Sequence, residues 1–211
     1  HININLKFKT FLYYRNMIGV IDSGYGGLTV LKSFLEKLPK YDYLYFGDSA
    51  RVPYGGRSPE TIREFSKQIV EYLIEQDVPL IIVACNTMTA AALRYLQHNY
   101  SDRVKILGVI RPLAEEAVKI SKKKKIGVVG TRATINSGAY KEELQKLNRE
   151  IKVIGRSCPL LVPLIEENWI DRPETKMILR KYLRPLKAQH IDTLILGCTH
   201  YPILYRDFKH M

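Results

Sequence analysis

Cys85 and Cys198 are the residues of this sequence best placed to do chemistry. Each closes an apolar run, LIIVACNT at 80–87 and LILGCTH at 194–200. A continuous aliphatic run bounded by polar residues reads as a strand buried on both faces of a parallel sheet. Ligands of such sheets bind just beyond the carboxyl ends of the strands. Both thiols fall there, 113 residues apart (198 minus 85), which suggests one site assembled from two halves. A zinc site wants more ligands at closer spacing, and a redox pair usually carries C-x-x-C; neither pattern is present. Cys198 with His200 could serve a Cys–His hydrolase, but that reading leaves Cys85 unemployed.

Two facing thiols suit stereoinversion. Removing a proton from one face of a carbon and returning one to the other needs two acid/base groups, one ionised and one protonated. A thiol near its reference pKa can be tipped either way by a cation or a helix N-terminus. Asn86-Thr87 and Thr199-His200 follow the thiols where a helix N-terminus would cradle a carboxylate. General acid–base catalysis contributes about 10²–10⁴-fold, too little for an α-proton beside a carboxylate. Donors preorganised toward the developing enediolate in a dry cleft must supply much of the rest; the Asn and Thr side chains and the Ser23-Gly24 backbone are candidates. No lysine stands in a pyridoxal-phosphate context, so a cofactor-independent route is favoured and no metal is expected.

The elements that must position these groups alternate. Strands are expected at 17–22, 43–46, 80–84, 105–110, 126–129, 152–154 and 193–196, with helices near 28–38, 87–98, 112–120 and 137–148 and another that starts at Ser58-Pro59. A short proline-interrupted helical segment follows at 158–167, and then a basic helix capped by Asp171 or its neighbours and ending near Gln189. Ser58-Pro59 starts a helix well, with Ser as N-cap and Pro in the first turn; Ile62, Phe65, Ile69 and Tyr72/Leu73 recur on its buried face. The pattern means an α/β protein with mostly parallel sheets. MIGVID at 17–22 and KIGVVG at 125–130 rhyme, and Val20 and Val128 precede the two cysteines by similar distances. We read two pseudo-symmetric α/β domains, 17–103 with Cys85 and 104–211 with Cys198, and a cleft between them. Residues 1–16 read as an extension, non-native or disordered, with Met17 as a natural start.

The bulk numbers fit a globular protein: 211 residues, 46% hydrophobic and 26% charged. No apolar run approaches the roughly 20 residues that span a bilayer. Three cysteines in a chain of this size favour free thiols and a reducing compartment, hence the cytoplasm. The formal charge of +12 admits nucleic acid, but the dense run at 122–125 precedes a strand and reads as a solvated turn, so nucleic acid is not expected. A basic field would still draw in a dicarboxylate.

At this point the chain resembles glutamate racemase of the aspartate/glutamate racemase superfamily. IGVIDSGYGGLTV (18–30), YFGDSARVPYG (45–55), VACNT (83–87), GVIRP (108–112), CPLLVPLIEE (158–167) and LILGCTHYPIL (194–204) stand in that family's order. The resemblance implies a cofactor-independent isomerase of two α/β domains that supplies D-glutamate for peptidoglycan and cell-wall synthesis. It implies that Cys85 and Cys198 are the acid/base thiols, with Asp22 beside Cys85 and His200 beside Cys198. Asp22, Ser23, Tyr54, Gly55, Asn86, Thr87, Thr199 and His200 match substrate-contacting positions, and Asp48 and Glu166 further acidic ones. Cys158 reads as structural. Met88-Thr89, Leu113 and Asn168 depart from the pattern near the cleft, and family members continue past the position of Met211. Glutamate is the implied partner and a homodimer is admitted. Aspartate or hydantoin racemase, or a regulatory protein acting on gyrase, stay open.

Overall fold

The computed structural model describes residues 16–211, so most of the expected N-terminal extension lies outside the described residues. Among the described residues, seven strands alternate with helices. The first unit runs β1 (Met17–Asp22), α1 (Leu28–Lys37), β2 (Asp42–Gly47), α2 (Pro59–Glu75), β3 (Leu80–Val83), α3 (Asn86–Tyr100) and β4 (Lys105–Gly108). The second runs α4 (Ile110–Ile120), β5 (Lys125–Gly130), α5 (Arg132–Asn136), α6 (Ala139–Leu147), β6 (Lys152–Ser157), α7 (Leu161–Glu166), α8 (Pro173–Ala188), β7 (Thr193–Gly197), a 3-10 turn at Tyr201–Leu204 and α9 (Tyr205–His210).

Two parallel sheets result, in the orders β2-β1-β3-β4 and β6-β5-β7. The chain leaves β1 to one side for β2 and returns on the other side for β3; β5, β6 and β7 repeat the move. Each sheet therefore reverses its winding beside its leading strand, and a crevice opens there at the strands' carboxyl ends. Asp22 ends β1, and Cys85 follows β3 across that crevice. Gly130 ends β5, and Cys198 follows β7, with Gly130 paired to Gly197. The rhyme in the sequence is a rhyme in topology.

Each sheet is covered by aliphatic side chains because its strands are apolar on both faces. Ile21, Ile81 and Val83 are sealed under α2 and α3, while Val20, Ile82 and Ala84 meet Val30 and Phe34 of α1. Fully burying such a side chain is worth about 1.5–3 kcal/mol. On the second sheet, Ile126, Val128 and Ile195 pack under Ile110, Ala114 and Ala117 of α4, and Val129 lies over α7 and α8.

Four expectations need correcting. The strand assigned to the second domain, now Lys105–Gly108, pairs with β3 of the first sheet. The chain crosses between sheets after Gly108, because Ile106 has a partner in the first core whereas Ile110 has one in the second. The helix expected at 137–148 starts earlier and is split: Gly138 takes φ +70, a left-handed backbone that ends α5 and begins α6. Helix α8 is preceded by Arg172, the neighbour of Asp171, but has no side-chain cap, since an arginine side chain carries only donors. Tyr72 is exposed rather than on the buried face of α2; Ser66 and Val70 take that side. The Ser58 hydroxyl does accept from Thr61 N–H at 3.2 Å, with Pro59 in the first turn.

Candidate active site

The two crevices face one another across a cleft of about 410 Å³ whose wall contains both Cys85 and Cys198, a size suited to a small molecule. Cys85 is the N-cap of α3: its sulfur accepts from Met88 N–H at 3.5 Å and donates to Ser23 Oγ at 3.4 Å. The N–H groups of Asn86 and Thr87, in the first turn of a fifteen-residue helix, have no intrahelical acceptor and carry the positive end of its dipole. Burial pushes the Cys85 thiol up to about 11, Asp22 adding to the rise, with the Ser23 and Met88 hydrogen bonds pulling the other way.

Cys198 enters from the other side, and a single 3-10 turn follows it. Its sulfur lies 3.8 Å from His200 Nδ1, and His200 Nε2 lies 3.0 Å from Glu166 Oε1. With Glu166 ionised, Nε2 carries the proton and Nδ1 presents its lone pair to the thiol. The Cys198 thiol is also driven upward, by burial first, with Cys85 and Asp22 adding to the rise and the His200 and Tyr201 N–H groups opposing it.

Among the polar groups of the wall, Asn86 is oriented by Tyr140, whose hydroxyl donates to Asn86 Oδ1 at 2.5 Å. Thr87 Oγ1 lies 2.9 Å from Thr131 Oγ1 and 3.1 Å from Thr134 Oγ1, so residues of both sheets share one hydroxyl cluster. Tyr54 and Gly55 come in on the loop after β2, where the Gly55 carbonyl accepts from Ala133 N–H at 3.0 Å. A Cβ at Gly55 would approach Thr131 to 2.8 Å, so the close approach of the two units there needs glycine.

A family model described as Asp/Glu/Hydantoin racemase matches residues 18–210. A glutamate racemase of Geobacter metallireducens is 48% identical over 189 residues, covering 90% of this chain and 69% of its own length. The chain belongs to the glutamate racemase family. Among solved glutamate racemases, an isoform from Bacillus anthracis superposes with a TM-score of 0.89 at 43% identity, covering 93% of this chain and 73% of its own. One from Francisella tularensis, in complex with D-glutamate, superposes at 0.87 with 39% identity over 92% of this chain and 73% of its own.

Ser23, Tyr54, Gly55, Cys85, Asn86, Thr87, Glu166, Cys198, Thr199 and His200 of this racemase all line the one cleft. Asp22 and Asp48 do not. Asp22 is fully buried behind the wall, where Oδ2 accepts from Gly24 N–H at 2.9 Å and Oδ1 from Thr199 Oγ1 at 3.5 Å. Burial raises its pKa, opposed by the Gly24 and Gly27 N–H groups and by His200. Asp48 is a brace: Arg51 donates to it at 2.6 Å and Tyr54 through its hydroxyl, which fixes the loop that carries Tyr54 and Gly55. Cys158, expected to be merely structural, is buried and also borders the cleft.

The sequence reading missed Thr131, Arg132 and Tyr140. A signal for Thr131 was present: aligning IGVID with IGVVG sets Thr131 opposite Ser23. Tyr140 carries no such mark. Among the described residues, no group of three or more His, Cys, Asp or Glu side chains is placed to hold a metal ion. No helix among them is long and apolar enough to cross a membrane.

Proposed function

We propose that this chain interconverts L- and D-glutamate by two-thiol proton transfer at Cα, with Cys85 and Cys198 as the acid/base pair. The observation that carries the reading is the presence of both sulfurs, from the ends of topologically equivalent strands, in the wall of one cleft. A thiolate on one side takes the Cα proton, and the thiol on the other side gives its proton to the opposite face. The carbon is inverted, and the enzyme is left with thiol and thiolate exchanged. Proton exchange with solvent then resets it.

The α-carboxylate fits the N–H groups of Asn86 and Thr87 at the start of α3. The hydroxyls of Thr87, Thr131 and Thr199 and the Ser23 side chain are donors for the enediolate oxygens and the distal carboxylate. His200, steered by Glu166, is the acceptor that draws the proton from Cys198. Ser23 and the helix N-terminus ease ionisation of Cys85. Asp22 and Asp48 act by positioning, the first through Gly24 and Thr199 and the second through Tyr54. No step calls for a cofactor. The reading extends to a cytoplasmic enzyme serving peptidoglycan synthesis, with a homodimer as the assembly to look for by sedimentation.

The test is polarimetry on a panel of L-glutamate, D-glutamate, both aspartates and a 5-substituted hydantoin. Rotation should decay to zero from either glutamate enantiomer at comparable kcat/KM. Decay with aspartate or hydantoin alone would overturn the substrate assignment, and decay with none would overturn the activity.

A further inference from the structure

Beside the catalytic cleft lies a second pocket of about 460 Å³ that shares Gly55, Gly56 and Arg132 with it. Three arginines line this second pocket, Arg57, Arg63 and Arg132, and no acidic side chain does. Arg57 and Arg132 have no side-chain hydrogen bond or ion pair among the described residues. Among the described residues Arg63 uses only its Nε, on the Ala91 carbonyl at 2.9 Å, and its terminal nitrogens have no hydrogen bond there. A carboxylate that senses Arg63, Glu60, is held first by backbone and Ser58 hydrogen bonds and stands off the pocket wall.

A neighbouring groove shows what the protein does with arginines that serve structure alone. There Arg94 is neutralised by Glu142 at 2.6 Å and Arg111 by Glu115 at 2.9 Å. Three guanidiniums around one concavity with no carboxylate in its wall repel one another, although Arg63 also borders the neighbouring groove with its glutamates, and an anion between them lowers that cost. Guanidinium forks match carboxylates in geometry as well as charge. The shared members are decisive for which anion: Arg132, Gly55 and Gly56 border both cavities, so an anion held in one lies next to the other.

We infer that the Arg57–Arg63–Arg132 pocket is an anion-binding antechamber that gathers the substrate's carboxylates at the mouth of the catalytic cleft. The inference rests on the glutamate reading above. Its effect is twofold. The guanidiniums hold a dicarboxylate transiently through one of its ends, and their positive potential extends into the adjoining cleft, which strengthens binding of an anionic substrate there. Both parts weaken as salt screens the charges.

The experiment measures initial rates of L-glutamate racemisation against ionic strength for the wild type, Arg57→Gln, the double variant R57Q/R63Q, and a control, R180Q/R184Q. The control removes the same charge from α8, away from the cleft. For R57Q/R63Q the expected result is a KM raised about three- to tenfold, as removal of local steering charge implies, with kcat unchanged and a shallower dependence on salt. The control should keep wild-type KM and salt dependence. Arg57→Gln, whose side chain has no internal partner to lose, should show the same change in smaller measure, and Arg57→Lys should restore most of it. Wild-type KM and salt dependence in R57Q/R63Q and Arg57→Gln, or an equal change in the control, would overturn the inference. Loss of the glutamate reading itself looks different: the wild type would then turn over no glutamate.

Discussion

The two halves place their sulfurs alike and equip them differently. Cys85 caps a fifteen-residue helix and touches a hydroxyl, Ser23. Cys198 is followed by one 3-10 turn and touches an imidazole backed by a carboxylate. Burial raises both thiols and backbone N–H groups ease the ionisation of both, but a base stands beside the second alone. Repeating the strand order has duplicated where a residue sits and the backbone N–H groups that reach it, and has not duplicated the side chain beside it. Asp22, behind the wall, acts on both: its charge opposes ionisation of either sulfur.

The comparison breaks first at the thiols. Cys85→Ala and Cys198→Ala should each lower racemisation by about 10³-fold or more, since residues acting as a unit fail together. Substantial turnover by either, measured by polarimetry, would mean that the halves are not partners. The next effect is one-sided. His200→Asn should cost about 10²-fold, within the range of a lost general base, and Glu166→Gln about tenfold. Enantiomers have equal free energy in water, so kcat/KM must fall equally in the two directions. The asymmetry will show in kcat and KM separately, which should cease to match between L- and D-glutamate. Matched values in His200→Asn would place the histidine outside the Cys198 relay.

A pH dependence follows from the thiols in both halves. Their folded pKa values are raised, Cys85 to about 11 from an ordinary value of 9.0 and Cys158 to about 12. The stability each confers is fully present below pH 9.0 and is lost as pH climbs through the folded values. The loss amounts to about 1.4 kcal/mol per pH unit per thiol. Thermal unfolding should therefore move to lower temperature between pH 9 and 11, and Cys85→Ala should blunt that slope. Catalysis runs the other way at first: kcat/KM should rise with pH above neutrality as thiolate becomes available. The mildest effect on chemistry is Asp48→Asn. It weakens hydrogen bonds to a buried charged group and should cost about 1.5–3 kcal/mol of stability, read by denaturant titration, with a modest rise in KM as Tyr54 loosens.

How much of this was legible in the sequence follows from what kind of interaction decides each feature. The strands ending at Cys85 and Cys198 were readable because a buried parallel strand writes itself as an aliphatic run. The start of α2 was readable because Ser58 and Pro59 act locally. The crossing between sheets was not, because Lys105–Gly108 is apolar enough for either sheet and only its pairing with β3 decides. Tyr140 and Arg132 were missed for the same reason: Arg132 borders the cleft from α5 and Tyr140 acts on it through Asn86, 54 positions away, and neither contact is written locally. Asp22 was readable as a residue at the strand end, but its seat behind the wall depends on Gly24 and Thr199, the latter 177 positions away.

The central claim, that one sulfur works each face of Cα, is tested most directly by racemising L-glutamate in heavy water and sampling early. The account predicts that D-glutamate carries deuterium at Cα from the first turnover while recovered L-glutamate carries none. Deuterium entering both enantiomers together would mean that one base serves both faces, and would contradict it.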